Sequence, residues 1–434
     1  MTGLAFLLAF SSGCVLALAR HPLYGLLTYV AVFYLHPPSA WWGATLPDLR
    51  WSLLAAVITL AAVWLHSAKL PRLSAFWMHR VPWLFLILTV WLAIQLWWAV
   101  LPDRQMQLLV LYVKYIVLLY VIFRILVTEK AIRAFLWAHI VGCFYMGWTA
   151  FTSHSGGRFE GFRGPDISEA NAGALTLATG FFFLGALFLA SKWRARLGLA
   201  GIAPFLLDGI VRTASRGGFL ALSLGGTIFT MLAPKQHRKL ILALGVIAIG
   251  VFLALTNALF WQRIGTIHYL GEHVEGLDTG SGRVSIMVGQ LEMFKSNPLG
   301  HGHRATPYLS PYYIEESVLS AKPGETRAEI ASHNTFMSLL VEQGVLGAAF
   351  YLALAVWTLT RLARLRRRLR GSGHFGEVLV AGLGAAMAAI LSGDMFVDYL
   401  KLEIRVWFTA LLMVAEELWP RAEADSRARE EASA

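Results

Sequence analysis

The sequence predicts an all-α polytopic membrane protein with about 12–13 transmembrane helices and one large extramembrane loop containing short helices. Of the 434 residues, 57% are hydrophobic and 15% are charged, whereas a soluble domain carries roughly 25% charged residues. The apolar residues form long continuous runs, such as "LILALGVIAIGVFLALTNALF". Transmembrane β-barrels instead show alternating residues in segments of about 10. Continuous runs therefore favour helices.

Thirteen apolar runs follow one another along the chain, and the first three are short, so the number and orientation of the N-terminal spans stay open. The runs cover 3–19, 21–35, 52–65, 81–100, 108–126, 132–151, 172–190, 196–211, 217–232, 240–259, 334–359, 378–397 and 404–418. The long gap between the tenth and eleventh runs is the large loop. Within it, "RVSIMVGQLEMF" predicts an amphipathic helix on the membrane surface.

These runs divide the chain into five parts. We predict an N-terminal transmembrane bundle (1–151), a core group of transmembrane helices (152–259), the loop or lid (260–333), C-terminal transmembrane helices (334–418) and a cytoplasmic tail (419–434). From Glu416 onward the chain is polar and carries both charge signs. A segment that cannot bury apolar surface is expected to be disordered.

The distribution of basic residues predicts the topology of the chain. The formal net charge is +11, but 18 of the 37 Lys and Arg residues lie in five short connectors, at 69–80, 124–133, 192–196, 235–239 and 361–370. Basic residues between spans mark cytoplasmic connectors. The charge is therefore a topology signal, which argues against a nucleic-acid-binding surface.

The other connectors then fall on the opposite face of the membrane. They include 153–171, 213–218, 397–403 and the loop 260–333, and each is more polar and irregular than a plain turn. This assignment uses only the positions of the basic residues, yet it places the unusual polar segments on one face of the membrane. We therefore predict an external active site.

Three arginines are candidates for binding phosphate on that face. Arg216 lies in "SRGG" at the mouth of an apolar run, Arg263 follows another run, and Arg283 opens the amphipathic segment. Guanidinium binds phosphate oxygens bidentately, which suits a lipid-linked phosphate or pyrophosphate. Alternatively, each side chain extends to the interface and merely anchors its helix.

Histidines on the same face suggest acid–base chemistry. His333 lies where an apolar run begins, and an imidazole there can accept a proton from a sugar hydroxyl at neutral pH. The alternative is a polar residue that merely starts a helix. His301 and His303 in "GHGHR" resemble a metal pair, but no acidic cluster accompanies them. We therefore predict a mechanism without a metal ion or another cofactor.

Polar residues in the middle of the apolar runs are few, and the main ones are the carboxylates Asp208 and Asp394. Carboxylates inside a membrane are often functional, so a transporter is an alternative hypothesis. A proton-coupled transporter is expected to carry more such groups together with broken helices at mid-depth. The concentration of unusual residues at one face favours an enzyme.

Several motifs resemble the superfamily of O-antigen ligases and O-antigen polymerases, which are membrane glycosyltransferases of the GT-C type. They are "TASRGGFLAL", "SGR", "NPLGHGH" and "SHNTFMSLLVEQGVLG", arranged around one external loop. The N-terminal "LHPPSAWWGATLPDLRW" is also similar to the O-glycosylation ligases that accompany exosortase systems.

The resemblance implies transfer of a glycan from undecaprenyl pyrophosphate to an acceptor hydroxyl at the periplasmic face of the bacterial inner membrane, with inversion at the sugar. It implies that Arg216 and Arg283 bind the pyrophosphate, that His333 is the base, and that Arg263 and Lys401 assist in binding the pyrophosphate. Possible substrate contacts are Arg158, Arg163, Asn334, His301 and His303. We expect a lipid A-core sugar as acceptor; a growing glycan or a protein would make the chain an O-antigen polymerase or a protein O-glycosylation ligase.

Overall fold

The computed structural model describes residues 2–71, 73–153, 157–256, 258–265, 282–314, 331–397 and 401–433. Within these ranges the regular structure is helical and no β-strand occurs. The predicted all-α class is therefore confirmed. Short 3-10 turns connect some of the helices, as at Pro37–Ser39.

Each of the thirteen predicted apolar runs coincides with a helix, and the described parts of the large loop contain three further helices. The helices are α1 (Thr2–Ala19), α2 (Leu23–Leu35), α3 (Trp51–Leu65), α4 (Arg80–Gln95), α5 (Pro102–Ile125), α6 (Glu129–Thr152), α7 (Ala170–Leu189), α8 (Trp193–Arg212), α9 (Arg216–Leu232), α10 (Arg238–Leu255), α11 (Ala258–Gly265), α12 (Gly282–Ser296), α13 (Ala305–Tyr313), α14 (Thr335–Leu369), α15 (Phe375–Gly393) and α16 (Glu403–Ser433). Seven of the described helices are long and apolar enough to cross a membrane. The chain is a multi-pass membrane protein.

The prediction of a disordered tail from Glu416 was wrong, because α16 continues to Ser433. Polarity alone suggested disorder. The segment is nevertheless rich in Ala, Glu and Arg, which have high intrinsic helix propensity.

The centre of the bundle is formed by α7, α9 and α15, which pack closely on one another. α7 and α15 carry many Gly and Ala residues and are buried along most of their length. Small residues let membrane helices approach closely and so increase the packing contacts between them. These contacts matter in a membrane because the hydrophobic effect does not drive helices together there. α10 contrasts with them, because most of its side chains are exposed at the edge of the bundle.

The two glycines after Arg216 allow this close approach. A Cβ atom on Gly218 would lie 2.5 Å from the Cβ of Ala174 in α7. A Cβ atom on Gly217 would lie 2.8 Å from the Cβ of Phe396, in the turn after α15. The "SRGG" motif thus places the start of α9 directly against two other elements.

We expect Gly218→Ala to destabilise the protein, because overpacking a tight helix contact costs about 1–3 kcal/mol. Gly226 lies on the same helix, and an added Cβ there would meet no atom within 4 Å. Gly226→Ala should therefore be neutral or stabilising, since Ala is about 1 kcal/mol more favourable than Gly in a helix. Thermal unfolding of the two purified variants in detergent measures the difference. Equal shifts in both variants would contradict the tight α7–α9 contact.

α14 contains a break that receives the "NPLGHGH" segment. Gly344 has φ 67 and ψ −162 inside this helix, a backbone conformation that favours glycine. The break leaves carbonyl groups that accept hydrogen bonds from the loop: His301 N–H donates to Val341 O at 2.9 Å and Gly302 N–H to Glu342 O at 2.8 Å. In return, Val345 N–H donates to Pro298 O at 3.0 Å. The loop is thereby fixed to the first part of α14.

Both carboxylates that suggested transport are paired with arginines. Asp208 lies 2.6 Å from Arg212, one turn later in α8. Asp394 lies 2.6 Å from Arg405 in α16 and accepts a hydrogen bond from Tyr351 in α14. The Asp394 carbonyl also accepts from Thr335 N–H at 2.8 Å. Asp394 therefore ties the start of α14 to α15 and α16.

Candidate functional site

Three helix N-termini meet at the end of the bundle opposite the basic connectors. α7 begins at Ala170, α9 at Arg216 and α14 at Thr335. Ser215 Oγ donates to Asn171 Oδ1 at 2.7 Å, which links the starts of α9 and α7. His333 Nδ1 lies 3.6 Å from Glu169 Oε1, which links the starts of α14 and α7. Each N-terminus carries a partial positive charge, so the convergence favours an anion.

Asn171 is the hub of the hydrogen-bond network at this end. Its Oδ1 accepts from Ser215 and from Arg158 Nη2, the latter at 2.9 Å, and its Nδ2 donates to Phe396 O at 3.4 Å. Arg158 also donates from Nε to Thr213 O at 3.0 Å and pairs with Glu160 through Nη1, also at 3.0 Å. All three guanidinium nitrogens of Arg158 thus contact the protein. Arg158, proposed as a substrate contact, holds its segment against the turn between α8 and α9 and against the start of α7.

Arg216 is the first residue of α9 and is half-buried. Ser215 caps this helix, since its Oγ accepts from Gly218 N–H at 3.0 Å. Ala214, just before the cap, has a φ of 44, which is unfavourable for a residue with a Cβ. A sharp, capped turn therefore fixes the backbone that carries Arg216.

His333 lies directly before the cap of α14 and faces Glu169. Its side chain is 47% exposed and that of Glu169 is 32% exposed. The 3.6 Å separation is longer than a hydrogen bond, but catalytic contacts often tighten only when substrate binds. Because Nδ1 is directed at Glu169, Nε2 is the nitrogen that can accept a proton from a substrate. The backbone of His333 has a φ of 47.

Strained backbone concentrates at this site. Of the five non-glycine residues with positive φ in the described part of the chain, Asp166, Ala214 and His333 lie here. Such conformations cost about 1–3 kcal/mol each and persist where the surrounding structure holds them, commonly at functional sites. Asp166 also pairs with Lys401, at 3.1 Å. Lys401 therefore lies beside the segment that leads to Glu169, and its ammonium group has a carboxylate partner. A role of Lys401 in binding pyrophosphate stays a prediction.

The carboxylates of the site were missed by the sequence analysis. Glu160, Asp166 and Glu169 lie in "GRFEGFRGPDISEAN", where only the arginines were selected. The acidic residues of that segment were a usable signal, because a positively charged site beside a base commonly needs carboxylates to orient its groups. The partners of Glu169 and Asp166, His333 and Lys401, are far away along the chain, so those two pairings could not be predicted from the sequence.

Several candidates have structural contacts elsewhere. Asn334 caps α14, because its Oδ1 accepts from Phe336 N–H at 3.0 Å and from Met337 N–H at 3.2 Å. Arg163 Nη1 donates to the Tyr145 hydroxyl at 2.8 Å. These bonds stabilise the fold around the site, and a role of either residue in binding substrate stays a prediction.

The histidine pair lies at the break in α14. His303 Nδ1 is 2.9 Å from Glu342, and His301 Nε2 is 2.9 Å from Met293 O. These contacts hold the loop to α14 and α12, and no contact between this pair and His333 is present among the described residues. Arg263 lies in α11 and Arg283 in α12, but their side chains lie outside the described residues.

Residues 203–352 match the family model for O-antigen ligase. The match covers about a third of the chain, from within α8 into α14, and includes Arg216 and His333. It does not reach Arg158, Glu169 or Lys401. No curated protein matches the chain. The match supports the assignment of this membrane protein to the O-antigen ligase superfamily.

Proposed function

We propose that the chain is a metal-independent, inverting glycosyltransferase that moves a glycan from undecaprenyl pyrophosphate to a lipid A-core sugar hydroxyl at the periplasmic face of the inner membrane. The observation that carries the proposal is the meeting of Arg216 and His333 with three helix N-termini at one end of the bundle. A cation, a base and converging helix dipoles together suit a reaction in which an anionic group leaves.

The pyrophosphate would lie near the start of α9. Arg216 can donate two parallel hydrogen bonds to phosphate oxygens, and the helix N-terminus adds its partial positive charge. Lys401 supplies a second cation at the edge of the site. Arg263 and Arg283 belong to the loop helices α11 and α12, and we propose that they complete the binding of the pyrophosphate.

The chemical step is a displacement at the anomeric carbon of the donor sugar. His333 Nε2 takes the proton of the acceptor hydroxyl, whose oxygen forms the new bond to the anomeric carbon. The bond from that carbon to the pyrophosphate oxygen breaks, and the electron pair leaves with undecaprenyl pyrophosphate. Glu169 then faces the imidazolium and stabilises its charge. Attack opposite the leaving group inverts the configuration.

The same site can serve three acceptors. A growing glycan would make the protein an O-antigen polymerase, and a serine or threonine would make it a protein O-glycosylation ligase. A transporter of lipid-linked glycans is the more distant alternative. It is disfavoured because Asp208 and Asp394 pair with Arg212 and Arg405, which leaves neither carboxylate available as an unpaired proton carrier.

Reconstitution of the purified full-length protein into liposomes tests the proposal. Glycan on undecaprenyl pyrophosphate is supplied with lipid A-core, with an acceptor protein, or alone. We expect glycan joined to lipid A-core and release of undecaprenyl pyrophosphate. Transfer to the protein or to a second donor would replace the lipid A-core proposal. Movement of the donor between leaflets without bond formation would overturn the glycosyltransferase assignment.

A further inference from the structure

A polar cavity lies at the opposite end of the bundle from His333. It has a volume of about 350 Å³ and lies where α9 ends, α10 begins and α14 turns into α15. Four basic residues from two distant parts of the chain line it, Lys235, Arg238, Arg366 and Arg370. Among the residues that the structure describes, Glu377 is the only acidic one in its lining.

Basic residues at this face are expected from topology alone, but topology does not require that they share a cavity. Nearby Lys239, Arg367 and Arg368 are exposed and do not line it. Lys235 and Arg238 come from the α9–α10 connector, whereas Arg366 and Arg370 come from the end of α14. A cleft lined by charges of one sign focuses the field and attracts a counter-ion.

The walls of the cavity are held by specific bonds. Arg366 donates from Nη2 to the carbonyl of Met231, at the end of α9. Glu377 Oε1 accepts from Gly371 N–H at 3.0 Å, in a turn where Gly371 and Gly373 have φ of 80 and 69. This hydrogen bond partly compensates the negative charge of Glu377. The cavity keeps an excess of positive charge.

We propose that this cavity binds the phosphate group of an anionic phospholipid from the adjoining leaflet. A volume of about 350 Å³ lies at the small end of ligand pockets, which suits a headgroup. Leu232, Ala233 and Pro234 form an apolar wall beside the cations, which suits the glycerol part of a lipid. Basic pockets between membrane helices at the cytoplasmic side are known to bind acidic headgroups.

A lipid bound there would bridge α9 and α14. Arg216 is the first residue of α9, and His333 lies just before the start of α14. Anionic lipid would therefore brace, from the far side of the membrane, the pair of helices that form the candidate site. The lipid-binding inference itself does not depend on the proposed glycosyltransferase activity.

The test compares two double variants of the full-length protein with equal changes in charge. Arg238→Gln/Arg370→Gln removes one cation from each wall of the cavity and leaves the bond from Arg366 to Met231 intact. Lys239→Gln/Arg367→Gln removes neighbouring cations that do not line the cavity. Binding of short-chain phosphatidylglycerol is measured by native mass spectrometry in detergent, with short-chain phosphatidylcholine and inorganic phosphate as further probes.

We expect the wild type and the Lys239→Gln/Arg367→Gln variant to bind phosphatidylglycerol equally, and the cavity variant to bind about tenfold more weakly. Phosphatidylcholine should not bind, and inorganic phosphate should not displace the anionic lipid at equal concentration. An equal loss of phosphatidylglycerol binding in both variants would show that diffuse surface charge attracts the lipid and would overturn the proposal. Undiminished binding by the cavity variant would also overturn it. Displacement by inorganic phosphate would identify a soluble phosphate compound and overturn the lipid assignment.

Discussion

Replacing His333 by alanine is expected to abolish glycan transfer while donor binding and folding persist. The proposed role of the imidazole is to remove the proton from the acceptor hydroxyl, and general-base catalysis contributes about 10²–10⁴-fold. The side chain is about half exposed and bonds no other helix in the described part of the chain apart from its contact with Glu169. Its removal should therefore leave the thermal stability unchanged. Transfer is measured with reconstituted protein, and donor binding separately with undecaprenyl pyrophosphate.

Glu169→Gln is the companion variant to His333→Ala. Glutamine keeps the shape of the side chain and an oxygen that can accept the bond from Asn171, which is 3.4 Å long in the present structure. It removes the negative charge that faces His333. We expect a smaller loss of transfer, about tenfold, because the imidazolium loses its partner but the base remains. Near-normal transfer by His333→Ala would contradict the assignment of the base.

Much of the helical architecture could be predicted from the sequence, because a bilayer requires long apolar runs with all backbone groups bonded internally. The ends of those runs also indicated Arg216 and His333 as candidate site residues, because both lie at span ends that the basic connectors assign to the same face of the membrane. The contacts between helix ends could not be predicted. Glu169 meets His333 only because α7 and α14 reach the same end of the bundle, and no local pattern encodes that.

The errors and omissions have physical causes too. Disorder from Glu416 was inferred from polarity, although Ala, Glu and Arg favour a helix. His301 and His303 bond to Met293 and Glu342 and so fix a loop on the break at Gly344. A role of this pair in binding substrate stays a prediction. Residue type suggests what a side chain can do, and only its neighbours decide what it does.

Replacing Arg216 by glutamine is expected to lower transfer about a hundredfold, because removing a donor aimed at developing negative charge costs about 10²–10³. Arg216 stands at the start of α9, where the capped turn from Ala214 to Ser215 fixes its backbone. Arg216→Lys keeps the charge but loses the planar pair of donors, so it should recover only part of the activity. Initial rates and the affinity for undecaprenyl pyrophosphate measure the two effects.

Arg104→Gln is the matched control for Arg216→Gln, because Arg104 lies at the start of α5 on the same face of the protein, is exposed, and donates to Gln107 Oε1 at 3.2 Å. If a general positive field at this face holds the pyrophosphate, both glutamine variants should weaken donor binding alike. If Arg216 binds the pyrophosphate directly, only its replacement should do so, and the loss should persist at high ionic strength, since salt screens diffuse fields more than close contacts. Unchanged donor affinity in Arg216→Gln would mean that this arginine merely anchors α9 at the membrane surface.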